Sequence, residues 1–315
     1  MRNLVIVRAG AGSLHPAWLT GERNFDVIVS RYDPALEVAP GRGVTVHDAP
    51  GGKWRGLHST ITEHYDTVMR YDSIWLPDDD LATNAATINE LFEIHRAFKL
   101  ELSQPSLSDQ SYYTHPVTMN HPAFFIRFTN FVEIMMPLFS RGLLQRVWSD
   151  FEHSNSGWGF DVVWPSVTQF PRVAIVDALT VTHTRPLRGS TGSGGSNQAK
   201  TSDREQQEYL SRRFFTSPRV KQNVTLAGIL KDGSIGSLTD PQAIAFLATV
   251  LSSSRYLANE DILGYAQYCK NTLEHIDQFR QLVSERALEA VMKDALPELE
   301  MLRAKIAMYS LRKAS

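Results

Sequence analysis

One cysteine in 315 residues, Cys269, leaves no partner for a disulfide and no set of thiolates for a zinc site. Long apolar runs are missing too: none approaches the ~20 residues that a membrane-spanning helix needs. The first apolar stretch, Leu4-Val5-Ile6-Val7, is too short for the core of a signal peptide. Neither sign of charge dominates. With 32 basic and 34 acidic residues the formal charge is −2, which removes any global attraction to nucleic acid or anionic membrane. No internal repeat and no sustained heptad pattern runs through the chain. The expectation is a cytoplasmic protein with no nucleic-acid partner and no integral membrane segment. Its 43% hydrophobic and 21% charged residues suit a globular chain with one large core or two modest ones.

The densest chemistry lies in Ile74-Trp75-Leu76-Pro77-Asp78-Asp79-Asp80-Leu81, where a short apolar run stops at three carboxylates. Open α/β sheets bind ligands at the carboxyl ends of their strands, where such acids would stand. Side chains at i and i+2 of extended chain share a side, so Asp78 and Asp80 can face one cation together. Hard divalent ions, Mg²⁺ or Mn²⁺, take oxygen ligands and share them with substrate phosphates. The reading is a metal-bridged nucleotide diphosphate; the alternative is a polar loop or a helix cap.

The surrounding pattern supplies a sheet for those acids. Leu4–Val7 and Phe25–Ser30 read as buried strands, separated by Arg8-Ala9-Gly10-Ala11-Gly12-Ser13. That turn either lets backbone amides approach a phosphate or is an ordinary strand-to-helix connection. The second strand ends near Asp33, and residues 34–52, with their prolines and glycines, read as a loop. Leu57, Ile61, Tyr65 and Val68 make one apolar stripe and predict a helix over 54–71. A second helix is predicted over 84–98, with His95 on its apolar face as a core histidine. Ser111-Tyr112-Tyr113-Thr114-His115-Pro116 reads as a loop, packed on the surface or touching a ligand. Phe124 to Phe139 predicts one or two strands and carries Glu133, an acid that needs an arginine or a sugar hydroxyl as partner. A short helix is predicted over 142–151.

Ser156-Gly157-Trp158-Gly159-Phe160-Asp161 is the second loaded stretch. Two glycines permit tight turns and close approach of substrate, and the Trp158 ring suits the apolar side of a pyranose. Asp161 can accept a proton from a hydroxyl. A purely structural turn is the alternative. Further on, a strand at Val173–Val176 leads to His183, a third ligand for the cation or a structural histidine. Arg185 can pair with a diphosphate. Residues 189–202, rich in glycine and serine, form a flexible loop or linker between a domain at 1–188 and a helical region at 203–315. That helical region offers itself for packing on the sheet, a homodimer contact or an acceptor contact.

Taken in order, Asp78-Asp79-Asp80, Gly157-Trp158-Gly159 with Asp161, and His183 resemble the motifs of nucleotide-sugar glycosyltransferases of the GT-A fold. Phe131-Val132-Glu133 through Phe139-Ser140 are similar to a plant and bacterial family of unknown function suspected of glycosyl transfer. The resemblance covers roughly residues 1–188. It implies a GT-A-like (Rossmann-like) α/β fold with a mixed, mostly parallel sheet flanked by helices. It also implies a metal site of Asp78, Asp80 and His183 holding Mn²⁺ or Mg²⁺, and Asp161 as the base of an inverting transfer. Arg8, Ala9, Asp33, Asp78 and Arg185 would lie along the nucleotide, with Glu133, Trp158 and Gly159 along the acceptor. The donor implied is a nucleotide-diphosphate sugar, a UDP-sugar favoured, although no residue specifies uracil over guanine; the acceptor is a glycan or other hydroxyl. Phe160 precedes Asp161 where relatives of the Gly-Trp-Gly type carry two acids together. The other readings that the acids allow are a non-catalytic nucleotide-sugar-binding module and a metal-dependent nucleotidyltransferase or phosphohydrolase.

Overall fold

The computed structural model describes residues 2–168, 171–186, 195–213, 223, 225–236, 245–246, 266–267 and 270, with the backbone alone over 195–200. In chain order the elements are β1 (Asn3–Ala9), α1 (His15–Trp18), β2 (Phe25–Arg31), β3 (Val44–Asp48), α2 (Lys53–Glu63) and α3 (Tyr65–Val68). Next come β4 (Ser73–Trp75), β5 (Leu81–Ala82), α4 (Ala85–Ala97), β6 (Leu102–Leu107), β7 (Phe124–Thr129), β8 (Leu138–Ser140) and α5 (Arg141–Val147). The last are α6 (Phe160–Ser166), β9 (Val173–His183), α7 (Gly195–Arg212), β10 (Thr225–Leu230) and β11 (Ile235–Gly236).

The sheet runs β11-β10-β7-β9-β6-β8-β4-β1-β2-β3, with β5 paired to the far end of β9. Every residue of β1 is buried, because helices cover both faces of the sheet there. Val5, Val7 and Ala9 point into a core shared with Ile88, Leu91 and Phe92 of α4. Leu4 and Ile6 point the other way, into a core with Trp54, Leu57 and Ile61 of α2, Leu143 of α5 and Trp164 of α6. The twofold alternation of one strand thus divides two hydrophobic layers.

Sheet character changes along this order. β4, β1, β2 and β3 are mutually parallel, and β6 is parallel to β9. β8 enters antiparallel between β4 and β6, while β7, β10 and β11 add antiparallel pairs at the other edge. The sheet is mixed, as expected, with antiparallel pairs more numerous than parallel ones among the described residues. Of the antiparallel pairs only β10–β11 is a short hairpin; the others join strands distant in the chain.

Local differences from the sequence expectation have physical causes. The helix expected over 54–71 is two helices broken at His64; Leu57, Ile61 and Val68 of its stripe are buried, but Tyr65 lies exposed against Trp148. Asn84 caps α4 by accepting from the Thr87 amide, and Ser140 caps α5 by accepting from the Leu143 amide. The stretch 34–52 contains an edge strand, β3, whose residues are partly or fully exposed and so leave little apolar signature. The region expected to be helical from 203 onward carries β10 and β11, joined across Asp232-Gly233, with β10 hydrogen-bonded to β7. The expected linker ends in α7, whose first residue is Gly195. The rest of the region expected to be helical, from 237 to 315, lies almost wholly outside the described residues. Among the described residues no helix is long and apolar enough to cross a membrane.

Candidate active site

Asp78 continues the chain beyond β4, and Asp79 and Asp80 form a turn that leads into β5. The Leu76 amide donates to the Pro137 carbonyl and the Asp78 amide to the Met135 carbonyl, prolonging the antiparallel pairing beyond β8. The turn then separates the acids. Asp79 turns toward the loop after β1, where its carboxylate accepts from the Gly10 amide (3.2 Å) and the Arg185 guanidinium (3.3 Å). Asp78 and Asp80 turn toward His183.

β5 is only two residues long, yet it fixes this register. Leu81 lies opposite His183, so the residue before it, Asp80, meets the end of β9. The Asp80 carbonyl accepts from both the amide and the hydroxyl of Thr184. Asp80 Oδ2 lies 3.3 Å from His183 Nε2. The Nδ1 atom of His183 is 2.9 Å from the Tyr112 carbonyl, which can only accept, so Nδ1 carries a proton. In a neutral ring that leaves the Nε2 lone pair facing a carboxylate, an arrangement that calls for a cation between them or a second proton on the ring. Burial pulls the His183 pKa down, but the hydrogen bond and charge of Asp80 outweigh it and the net shift is upward. Burial pushes Asp80 up, and His183 with Arg185 brings it below the ordinary carboxyl value. The second oxygen of Asp80, Oδ1, is buried without a hydrogen-bond partner.

Asp78 has a different partner. Its Oδ1 lies 2.6 Å from the Lys53 ammonium, which also donates to the carbonyls of Ile134 (2.7 Å) and Met135 (2.9 Å). Lys53 is the first residue of α2, behind Gly52, where the helix dipole disfavours a cation. That electrostatic anomaly, a lysine opening a helix after Gly51-Gly52, is the sequence signal by which the residue could have been found.

Two further carboxyl groups complete the cluster. Glu133, in the loop between β7 and β8, donates its amide to Gln104 and leaves Oε2 buried with no partner. Burial, and after it the nearby charge of Asp161, push Glu133 up to about 8. Asp161 stands in the first turn of α6, positioned by Gly159 in the left-handed region (φ 94°). Burial pushes it up to about 7 against the backbone hydrogen bonds that favour its ionised form. Glu133 thus lies within electrostatic reach of Asp161, His183, Asp78 and Lys53, and Asp78 within reach of Lys53, Asp80 and His183.

The Gly-Trp-Gly turn ties this cleft together. At Gly157 (φ 76°) an added Cβ would lie 2.0 Å from Nε1 of Trp54, so only glycine lets the turn settle on α2 beside Lys53. Trp54 itself meets Phe151, Phe160 and Trp164 edge-on. Trp158 between the glycines is 39% exposed, its ring free to meet solvent or a ligand. A Cβ added at Gly159 would lie 3.2 Å from the side chains of Gln206 and Tyr209 of α7.

The remaining expected residues have internal partners. Arg8 is buried; its guanidinium binds Ser30 Oγ (2.9 Å) and the carbonyls of Ala49 and Gly51 (2.6 Å each), and burial pulls its pKa down to about 10. The Ala9 carbonyl accepts from Tyr32, and the Gly10, Ser13 and Leu14 amides are all engaged within the protein. Asp33 closes a turn by accepting from the Ala35 amide. Arg185 holds both Asp79 and the Gly12 carbonyl. The aromatic loop at 111–116 orients the histidine: Ser111 Oγ accepts from the His183 amide, beside the Tyr112 carbonyl.

Among the described residues no three His, Cys, Asp or Glu side chains close on one metal-binding point. Asp80 and His183 form a pair, the set suited to an ion whose other ligands are water and substrate oxygens.

No family model matches the sequence, and no curated protein matches it. Among solved structures the chain is similar to S. aureus TarS 1-349, at 11% identity and TM-score 0.38 over 90% of this chain and 93% of that one. TarS 1-349 in complex with UDP-GlcNAc gives 11% identity and TM-score 0.40 over 89% and 92%. A197 from STIV gives 13% identity and TM-score 0.34 over 58% and 85%. These scores are low, and the reading of the cleft rests on its own geometry.

Proposed function

We propose that this chain is a metal-dependent glycosyltransferase that moves a sugar from a nucleotide-diphosphate donor to a glycan or other hydroxyl, with inversion and with Asp161 as base. The supporting observation is the convergence of the Asp80–His183 pair with two further carboxyls, the buried Glu133 and the partly buried Asp161, near the carboxyl end of β4. A UDP-sugar is the favoured donor on the motif resemblance alone.

Asp80 and His183 would hold Mn²⁺ or Mg²⁺; the unpartnered Oδ1 of Asp80 and the Nε2 lone pair of His183 fit a hard or borderline cation. Such an ion, when bound, neutralises charge developing on the leaving diphosphate. The Tyr112 carbonyl fixes the tautomer of His183 and so keeps Nε2 aimed at Asp80. Arg185 is close enough to exchange Asp79 for a donor phosphate. Asp161 takes the proton of the acceptor hydroxyl as that oxygen bonds the anomeric carbon and the bond to the diphosphate breaks. With a pKa of about 7 it is a stronger base than an ordinary aspartate and still ionised in part at neutral pH. Glu133, protonated there, can donate to an acceptor oxygen, and the exposed Trp158 offers a stacking face.

The test is release of nucleoside diphosphate from a panel of UDP- and GDP-sugars with Mn²⁺ and hydroxyl acceptors. Wild type is expected to turn over at least one of them, and Asp161→Asn to lose about 10²–10⁴-fold in rate with donor binding intact. No turnover of any sugar nucleotide, or full turnover by Asp161→Asn, contradicts the proposal.

A further inference from the structure

Lys53 occupies the place at Asp78 that a second cation ligand would need. Its ammonium is only partly exposed and has three acceptors within 2.9 Å: Asp78 Oδ1 and the carbonyls of Ile134 and Met135. Those three bonds use all three of its donors. The ammonium is held by two backbone carbonyls and a carboxylate, and it sits at the positive end of α2, 5.1 Å from the centre of the Trp54 ring.

We infer that Lys53 is a resident cation that keeps Asp78 out of the metal site, so that the protein alone offers a divalent ion only Asp80 and His183. This rests on the reading of Asp80 and His183 as the metal pair. Two side chains hold a hard ion weakly unless other oxygens complete its shell. The donor diphosphate supplies them, and metal and donor therefore bind as a unit rather than in sequence. Lys53 has a second consequence: its positive charge stands beside the same site and opposes a dication that has not yet been neutralised by phosphate. In this arrangement the first aspartate of the Asp-any-Asp pattern positions a lysine, and the third binds metal.

The experiment titrates Mn²⁺ alone, by calorimetry, into the full chain as wild type, Lys53→Gln, Lys53→Arg, Lys53→Gln/Asp78→Asn and Lys53→Gln/Asp80→Asn, each checked for folding by circular dichroism. Glutamine keeps a donor for the carbonyls and removes the charge. Arginine keeps the charge and guards against a loss of packing being mistaken for a loss of cation. The expected result is Mn²⁺ affinity raised at least about tenfold in Lys53→Gln, unchanged in Lys53→Arg, and returned to the wild-type level when Asp78 is also replaced. Unchanged or weaker binding in Lys53→Gln overturns the role of Lys53, as does a gain that survives Asp78→Asn. The double variant with Asp80→Asn separates the two ideas. Mn²⁺ binding there as tight as in Lys53→Gln removes Asp80 as ligand and with it the functional reading, whereas a clear fall leaves that reading standing whatever Lys53 does.

Discussion

At Glu133 and Asp161 removal from solvent disfavours the charged carboxylate, and each holds its proton longer than an exposed acid does. Both folded values lie above the ordinary range, at about 8 and about 7, so the native chain keeps protons that the unfolded chain releases. Stability is therefore full below the ordinary carboxyl range and falls as pH rises toward about 8. Thermal melts between about pH 5 and 8 are expected to show a falling Tm in wild type and a flatter profile in Glu133→Gln. A profile no flatter in the variant would remove Glu133 as the source. Under the proposed role of Asp161 as base, activity moves the other way: the carboxylate must be ionised to take a proton, so turnover is expected to rise through about pH 7. Gly157 makes a steric prediction at the same scale. With φ at 76° and Trp54 2.0 Å from any added Cβ, Gly157→Ala is expected to lower stability by at least about 2 kcal/mol in urea unfolding. None of these three environments could be read from sequence. Gly-Trp-Gly marked a turn, but the ring that forbids a Cβ at Gly157 comes from α2, a hundred residues earlier in the chain.

Elements decide which of these residues meet. β9 passes along β6 in parallel register up to Pro105 opposite Val176, then shifts so that Ser106 lies opposite Thr180. The extra residues include Asp177, whose carboxylate is turned onto Arg127 of β7 with bonds of 2.7 and 2.9 Å, both side chains fully buried. Arg127→Met leaves that carboxylate buried without its cation and is expected to cost about 3–5 kcal/mol in denaturant unfolding; a change under about 1 kcal/mol would assign the joint to something else. Beyond the bulge β9 reaches β5 and delivers His183 to Asp80. Here legibility follows burial. β1, β2, β4 and α4 were readable because buried faces impose periodic apolar residues, and Asn84 announced the start of α4. β3 was not readable, because an exposed edge strand among prolines and glycines carries no such pattern. β9 reads as a strand at Val173–Val176 followed by a separate run, since the bulge interrupts its alternation. Lys53 escaped notice because an ion pair between residues 25 positions apart has no local signature beyond an ill-placed charge.

On the scale of the molecule, the two hydrophobic layers meet along β1 and β4, and the cleft opens where those strands end. The triple aspartate was legible in sequence because the acids follow an apolar strand directly; its division into Asp79 on one side and Asp78 with Asp80 on the other is made at the turn of Asp79-Asp80. What only the assembled sheet supplies is the company each acid keeps: Arg185 and Gly10 for Asp79, Lys53 for Asp78, His183 for Asp80. The central claim, that Asp80 with His183 anchors a metal shared with a nucleotide diphosphate, is tested most directly by calorimetric titration of UDP, GDP and UDP-sugars with and without Mn²⁺ into wild type and Asp80→Ala. The account predicts binding of at least one nucleotide that requires Mn²⁺ and disappears in Asp80→Ala. Metal-independent binding that survives the substitution, or no binding of any nucleotide diphosphate, would contradict it.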